Sequence, residues 1–168
     1  MGEAGILCPD DRVELIDGEV VAKSVIGSRH AASVDRANRA FMTTAGANAI
    51  VRVQGPVRLD PYNEPEPDLA LLRPQVDYYA SGHPGPPEIL LLVEVADSSL
   101  AYDRDVKALM YARFGVPEYW LVDLNEKVLL RFGEPSGGVY HTIRKDGPGQ
   151  FVAPHLLPAC VVSIDDLL

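Results

Sequence analysis

Residues 89–96 have the sequence ILLLVEVA, and this stretch decides the fold of the chain. All of its residues except Glu94 are apolar, so polar and apolar side chains do not alternate along it. A strand that is covered on both faces by other elements has this composition. The stretch therefore predicts a central strand with one buried carboxylate, and such a charge is unfavourable unless it is paired or binds a metal.

A helix and a second buried strand are expected to follow. Residues Asp103–Phe114 are predicted to be helical because apolar side chains recur there at spacings of three and four, which forms one buried stripe. The stripe consists of Val106, Leu109, Met110 and Phe114. Gly115 and Pro117 would end this helix. Tyr119–Val122 has the composition of another buried strand.

The remaining segments add a hairpin, a first helix and further strands. Asp17-Gly18 predicts an N-terminal hairpin of Val13–Ile16 and Glu19–Ala22, and Ser28 can cap a helix that runs to about Ala45. The further strands are predicted at Ile50–Val53, Val57–Leu59, Asp68–Leu72, Val128–Phe132, Val139–Ile143 and Gln150–Val152. We therefore expect one mixed α/β (α+β) domain over residues 1–168, with helices 29–45 and 103–114 packed on a central sheet.

Composition and motifs exclude several classes of protein. The 168 residues include 15 Lys and Arg against 24 Asp and Glu, a formal net charge of −9, so only a local basic patch could bind nucleic acid. The motifs of P-loop kinases, dinucleotide-binding dehydrogenases, zinc proteases and α/β-hydrolases are absent. No membrane helix or signal peptide is expected. Cys8 and Cys160 lack a metal-ligand spacing and are typical of reduced thiols in a cytoplasmic protein.

Two carboxylates lie where strands are expected to meet. Asp68 follows Pro67 at the start of one predicted strand, and the connection to Glu94 is long enough to bring the two strands side by side. Such a pair would form a site for a hard cation such as Mg²⁺. Three other interpretations stay open: Asp68 as a turn residue, Glu94 as a core acid paired with an arginine, and both acids as the catalytic pair of a sugar hydrolase.

Lys107 could approach these acids from the second helix. Asp103, Lys107 and Tyr111 have the spacing i, i+4 and i+8, and they form one polar stripe beside the apolar stripe. Because the apolar stripe would face the sheet, the polar stripe can lean over the edge of the sheet towards Asp68 and Glu94. The other interpretation is a solvated helix face with an Asp103–Lys107 ion pair.

Four segments together resemble the Uma2 (Uma-two) family of endonucleases, which belongs to the PD-(D/E)XK, or restriction-endonuclease-like, superfamily. They are VELIDGEVV (13–21), EPEPDLALL (64–72), LLLVEVADSS (90–99) and YDRDVKALMYARFGVPEYWLVD (102–123). The similarity extends from about Val13 to Tyr140 and is most specific between Leu90 and Asp123. It implies a restriction-endonuclease-like core with a central mixed β-sheet. It also implies a metal-dependent endonuclease that hydrolyses phosphodiester bonds of DNA with a Mg-activated water.

The resemblance also implies roles for individual residues. The family's motif places its Asp on Asp68 and its strand acid on Glu94. With the carbonyl oxygen of Val95, these would hold one or two Mg²⁺ or Mn²⁺ ions. The superfamily's usual lysine stands two residues after the strand acid, where this chain has Ala96. In the Uma2 branch the lysine is displaced onto the next helix, where Lys107 matches it and would orient the attacking water or stabilise the developing charge.

Further positions match polar positions of the family. The family often has polar residues at the positions of Gln54, Asp103 and Tyr111, but the resemblance implies no role for these three. Glu14, in the first hairpin, would be an additional metal ligand. His30 stands at the start of the first helix, where relatives carry a histidine, and as a lone histidine it can also be structural.

Two hypotheses on function follow. In the first, the protein is an active endonuclease with DNA as its partner. A local basic surface for phosphates could then come from the arginines Arg29, Arg36, Arg39, Arg52 and Arg58, which could also be separate solvated side chains. In the second, it is a catalytically inactive nuclease fold that serves as a binding or regulatory module, because Ala96 replaces the lysine and the net charge repels DNA. A homodimer is expected in analogy with restriction enzymes, and residues 151–162 would be its interface or ordinary core.

Overall fold

The computed structural model of the chain describes residues 12–168. The strands are β1 (Val13–Ile16), β2 (Glu19–Ala22), β3 (Ile50–Val53), β4 (Leu69–Leu72), β5 (Ile89–Ala96), β6 (Glu118–Asp123), β7 (Val128–Ser136), β8 (Val139–Asp146), β9 (Phe151–Val152) and β10 (Val162–Ser163). The α-helices are α1 (Ser28–Ala45), α2 (Leu100–Tyr102) and α3 (Ala108–Arg113). A π-helical turn, Asp103–Lys107, joins α2 to α3, and we call residues 100–113 the second helical segment. Short 3₁₀ turns lie at Gly46–Asn48, Pro86–Glu88 and Ile164–Asp166.

A six-stranded mixed sheet forms the centre of the fold. Its strand order is β3-β4-β5-β6-β7-β8. Strands β5 and β6 are parallel, and the other neighbours are antiparallel. Every residue of β5 is buried, as the apolar stretch at 89–96 predicts. The predicted mixed α/β fold with an N-terminal hairpin is confirmed.

The two faces of the sheet carry different helices. Helix α1 packs on one face, where Phe41 lies in a core cluster with Val93 and Val95. The second helical segment packs on the other face, where Tyr111 lies in a cluster with Leu92 and Ala96. Because side chains alternate along a strand, position 94 shares its face with positions 92 and 96. Glu94 therefore points towards the second helical segment.

The buried side of the second helical segment differs from the prediction. The segment begins three residues before the predicted start and ends at Arg113. Val106 and Leu109 are 38% and 50% exposed, so the predicted apolar stripe is wrong at these two positions. The polar stripe of Asp103, Lys107 and Tyr111 is buried instead. The π turn contains one residue more than an α-helical turn, so the side chains before and after it point in other relative directions than in a regular helix. Ion pairs offset the cost of burying the charged groups.

Three further predictions need correction. Residues 57–59 form no strand, because their amides donate to carbonyls of loop residues, with Val57 donating to Pro65 and Arg58 to Pro84. Strand β9 pairs with β10 in a separate two-stranded sheet and does not extend the β7–β8 pair. Helix α1 has Gly27 as its N-cap, and Ser28 is its first residue.

The N-terminal hairpin is a separate two-stranded sheet beside the central one. Backbone bonds in both directions between Leu15 and Glu64 attach β1 to the loop before β4. This attachment fixes the position of β1 at the end of the sheet where β4 begins. Among the described residues, no helix is long and apolar enough to cross a membrane. Cys160 is a free, buried thiol, and Cys8 lies outside the described residues.

Candidate active site

The candidate site lies at the end of the sheet where β4 begins and β5 ends. Strands β4 and β5 are antiparallel, and Leu69 pairs with Val93. This register places Asp68, which directly precedes β4, next to Glu94. The backbone N–H of Val95 donates to Asp68 Oδ2 at 2.8 Å, so the first acid is tied to the strand that carries the second. The structure thus brings together the two acids that the sequence singles out.

Asp68 is held by three donors from three elements. Besides the Val95 amide, Oδ2 is 2.9 Å from Nε2 of His30, in the first turn of α1. Gln54, directly after β3, donates its Nε2 to Asp68 Oδ1 at 3.3 Å. Burial alone would raise the pKa of Asp68, but the hydrogen bond and charge of His30, together with the other two donors, bring that pKa below its ordinary value. Asp68 is therefore kept ionised and fixed in orientation.

Glu94 is buried and shares one oxygen between two donors. Lys107 Nζ lies 2.8 Å from Glu94 Oε1, and the Tyr111 hydroxyl donates to the same oxygen at 3.1 Å. Burial raises the pKa of Glu94 to about 8; Lys107 acts against the rise, and the neighbouring acids, Asp68 first among them, add to it. Glu94 Oε2 has no hydrogen-bond partner among the described residues.

Lys107 is the positive charge at the centre of the site. It is only 4% exposed, and its Nζ lies 2.8 Å from Glu94 and 3.0 Å from Glu14. Burial would lower the pKa of Lys107, but the charges of Glu94, Glu14 and Asp103 raise it above the ordinary value. The ammonium is therefore charged, and it bridges β5 and the N-terminal hairpin.

Glu14 and Asp103 complete the buried charges. Glu14 Oε1 accepts the backbone N–H of Glu66 at 2.7 Å as well as a hydrogen bond from Lys107. Asp103 Oδ2 accepts a hydrogen bond from the Ser99 hydroxyl, and burial raises the pKa of Asp103 although Lys107 and Ser99 lower it. Of these two acids, Glu14 makes the direct ion pair with Lys107. Glu14 thus holds Lys107 in place through this ion pair.

The charged residues of the site line one cleft, in which buried acids outnumber buried basic residues. The cleft has a volume of about 470 Å³. The acids Glu14, Asp68, Glu94 and Asp103 line it, and all four are buried. Lys107 is the one buried lysine or arginine among the described residues. Uncompensated carboxylates that share a low-dielectric site repel each other. A cation bound there would remove this repulsion.

The donor set fits a hard divalent cation. Asp68 and Glu94 have carboxylate oxygens, and both residues line the cleft together with Val95. Among the described residues, no three or more His, Cys, Asp or Glu side chains are grouped as metal ligands. Mg²⁺ usually keeps several waters and binds through one or two carboxylates.

Comparison with known proteins gives the family. The sequence matches the model of the Uma2 family, described as "Putative restriction endonuclease", over residues 3–165. The chain belongs to the Uma2 family. No curated protein matches this Uma2 chain.

A solved structure shares the Uma2 chain's fold. It is the crystal structure of a putative nuclease belonging to DUF820 from Anabaena variabilis ATCC 29413. The TM-score is 0.76 at 15% sequence identity, and the match covers 98% of this chain and 94% of that chain. At this identity the likeness shows the fold alone. The Uma2 recognition made from the sequence segments is confirmed by the family match.

None of the five arginines that the sequence suggested for a basic surface lines the cleft of this Uma2 chain. Arg29 pairs with Asp97 at 3.0 Å, and Arg58 pairs with Glu64 at 2.8 Å. Arg36 donates to the terminal Leu168 carbonyl, so these cations serve the fold of the protein.

Sequence reasoning missed several residues that line the Uma2 cleft, among them Arg12, Ser99 and Tyr102. Tyr102 directly precedes Asp103, and this neighbourhood was the available signal. The loop after β5 and the start of the hairpin carry no pattern of their own, so the sequence could not place Ser99 or Arg12 in the cleft.

Proposed function

We propose that the chain is a metal-dependent endonuclease that hydrolyses phosphodiester bonds of DNA. One observation carries the proposal: two neighbouring carboxylates, Asp68 and Glu94, share an acidic cleft with a lysine that contacts one of them. Asp68 and Glu94, with the carbonyl oxygen of Val95, would hold Mg²⁺ or Mn²⁺. When bound, the ion would lower the pKa of a water molecule and neutralise charge on the phosphate in the transition state.

The residues around the two acids fix their orientation. Gln54, His30 and the Val95 amide hold Asp68 from three directions. Tyr111 and Lys107 hold Oε1 of Glu94, which leaves Oε2 for a cation. Partners of this kind fix metal-binding carboxylates and commonly change affinity 10- to 100-fold when they are removed.

Lys107 has a further role in this proposal. Its ammonium has three N–H donors, and the structure uses two of them on Glu94 and Glu14. The third can donate to a phosphate oxygen or to the attacking water in the cleft. A buried ammonium adds positive charge without competing with the carboxylates as a ligand. Lys107 could thus supply the charge that the superfamily's usual lysine would supply, although Ala96 occupies that lysine's position.

The other two functions are less well supported. The inactive-scaffold hypothesis rests on the missing lysine at position 96, and Lys107 brings an ammonium to the same acid from another element. A sugar hydrolase would need an aromatic-walled groove. Among the described residues, Tyr102 is the only Phe, Trp or Tyr that lines the cleft.

The test is a cleavage assay with single-stranded and duplex DNA and either Mg²⁺ or Mn²⁺. The wild type is expected to cut only when the divalent ion is present. Glu94→Gln keeps the size of the side chain but removes the charge, and it is expected to lose cutting entirely while remaining folded. Glu126→Gln makes the same change at an exposed site outside the cleft and should cut as the wild type does. Equal cutting by a folded Glu94→Gln variant would refute the proposal.

We also propose that residues 1–168 work as one domain, that the protein is cytoplasmic, and that it acts as a homodimer. Of the suggested interface, Val152, Cys160 and Val162 are buried in the chain's own core. Phe151 and Val161 stay exposed. Light scattering of the purified protein tests the dimer, and a monomer at high concentration would contradict it.

A further inference from the structure

Tyr102 is placed in the cleft without a structural task. Among the described residues that line the cleft, Tyr102 is the one Phe, Trp or Tyr. It is half-buried, and its hydroxyl has no hydrogen-bond partner among those residues. The buried tyrosines differ, because Tyr111 and Tyr119 both use their hydroxyls within the core. The ring of Tyr102 is therefore available to something that enters the cleft.

The hairpin gives the same cleft an apolar wall. Val21, Val25 and Ile26 lie in and after β2, and all three line the cleft with Tyr102. Val25 is 93% exposed, so it is hardly covered by the part of the chain that the structure describes. A flat apolar group would cover these side chains on binding. The cleft volume of about 470 Å³ is within the range for small organic ligands, and it suits one nucleotide.

The cations of the cleft are too few to hold a duplex by its phosphates. Among the described lining residues the Lys and Arg side chains are Arg12, Lys23 and Lys107. Lys23 and Lys107 are ion-paired with acids of the protein, and Arg12 donates to the Ser24 carbonyl. Duplex-binding proteins typically neutralise several phosphates at once. Proteins that bind single strands add stacking of bases on aromatic rings.

We propose that the substrate enters as single-stranded DNA, with one unpaired base stacked on Tyr102 and lying against the Val25–Ile26 wall. This inference rests on the proposed function, because it names the substrate class of the same cleft. A base stacked on Tyr102 would leave its phosphate in the same cleft as Asp68 and Glu94. Tyr102 is thus a binding residue that determines the preference for single strands.

The test measures binding of a fluorescein-labelled DNA strand, alone or annealed to its complement, with Ca²⁺ in place of Mg²⁺ to hold back cleavage. The wild type should bind the single strand more tightly than the duplex. Tyr102→Leu removes the aromatic ring and should weaken single-strand binding about tenfold. Tyr102→Phe keeps the ring and should bind as the wild type does. Tyr62→Leu changes an exposed tyrosine outside the cleft and should have no effect.

Calorimetry with Mn²⁺ separates this inference from the proposed function. Tyr102→Leu should bind Mn²⁺ as the wild type does, which also shows that its cleft is folded. If the wild type binds Mn²⁺ but prefers the duplex, fails to bind the single strand, or is matched by Tyr102→Leu, the inference on single strands is wrong and the metal-dependent function stands. If the wild type binds no Mn²⁺, the proposed function itself fails and the inference falls with it.

Discussion

Glu94 shows how a single residue can be identified from the sequence before its surroundings are known. It is the one polar residue in an apolar strand, and its burial follows directly from that position. The sequence also proposed Asp68, and the antiparallel register places it next to Glu94. The burial of Lys107 could not be predicted, because one of its partners, Glu14, lies 93 residues away and a lysine in a polar stripe normally faces water.

The raised pKa of Glu94 predicts that metal affinity depends on pH. Burial raises this pKa from 4.5 to about 8, so below about pH 8 a metal ion must displace a proton from Glu94. Mn²⁺ affinity should therefore increase about tenfold per pH unit up to roughly pH 8 and level off above it. Calorimetry between pH 6 and 9 in buffers of different ionisation enthalpy measures both the affinity and the proton release.

Two controls define this prediction. The pKa of Asp68 is lowered, so Asp68 does not titrate in this window, and Glu126→Gln should keep the wild-type profile. In the metal-free protein the folded state binds a proton at Glu94 that the unfolded chain releases. This group's contribution to the free energy of unfolding should thus fall as the pH rises from 4.5 to about 8. An affinity that does not change between pH 6 and 8 would contradict the prediction.

At the scale of elements, the second helical segment departs most from its sequence pattern. Apolar spacing predicted a uniform helix that buries Val106 and Leu109, and both are exposed. The π turn at Asp103–Lys107 changes the helical phase, and no local pattern predicts such a turn. In this orientation Lys107 pairs with acids on β5 and β1, elements that are distant from it in sequence. The hairpin, by contrast, was predictable from Asp17-Gly18 because its turn is local.

Removal of Lys107 should destabilise the protein strongly. Lys107→Met keeps the length of the side chain, leaves Glu14 buried without its counter-charge and removes the ammonium donor from Glu94. Breaking a buried pair in this way typically costs about 3–5 kcal/mol of unfolding free energy. Urea denaturation at neutral pH measures this loss.

Two further variants define the Lys107 prediction. Lys145→Met, at an exposed position of β8, should change the unfolding free energy by less than about 0.5 kcal/mol. The double variant Lys107→Met/Glu14→Gln should recover part of the loss, because the unpaired charge of Glu14 is gone. If Lys107→Met is as stable as the wild type, the buried ion pair does not hold these elements together.

At the scale of the whole molecule, the sequence predicted the classes of element better than their arrangement. The mixed α/β fold and the central position of β5 follow from composition and periodicity. The strand order and the pairing of β9 with β10 do not, because they depend on contacts between distant segments. The apolar residues at 57–59 resemble a strand, yet they are buried in a loop. Burial and strand formation leave the same apolar signature in such short segments.

The net charge of −9 is also a property of the whole molecule, and it bears on how the protein could bind DNA. The acids that would bind the cation are gathered in one cleft, and the five arginines that the sequence suggested for phosphate binding do not line it. DNA binding by this molecule should therefore depend on the divalent ion rather than on a basic surface. This places the metal site at the centre of the account.

The most direct test is calorimetric titration of Mn²⁺ into the wild type and into the Asp68→Asn/Glu94→Gln double variant. Both substitutions keep side-chain size, and thermal unfolding shows whether the variant is folded. The account predicts that the wild type binds Mn²⁺ and that the folded variant does not. Equal binding by the two proteins, or no binding by either, would contradict the carboxylate metal site and with it the proposed nuclease activity.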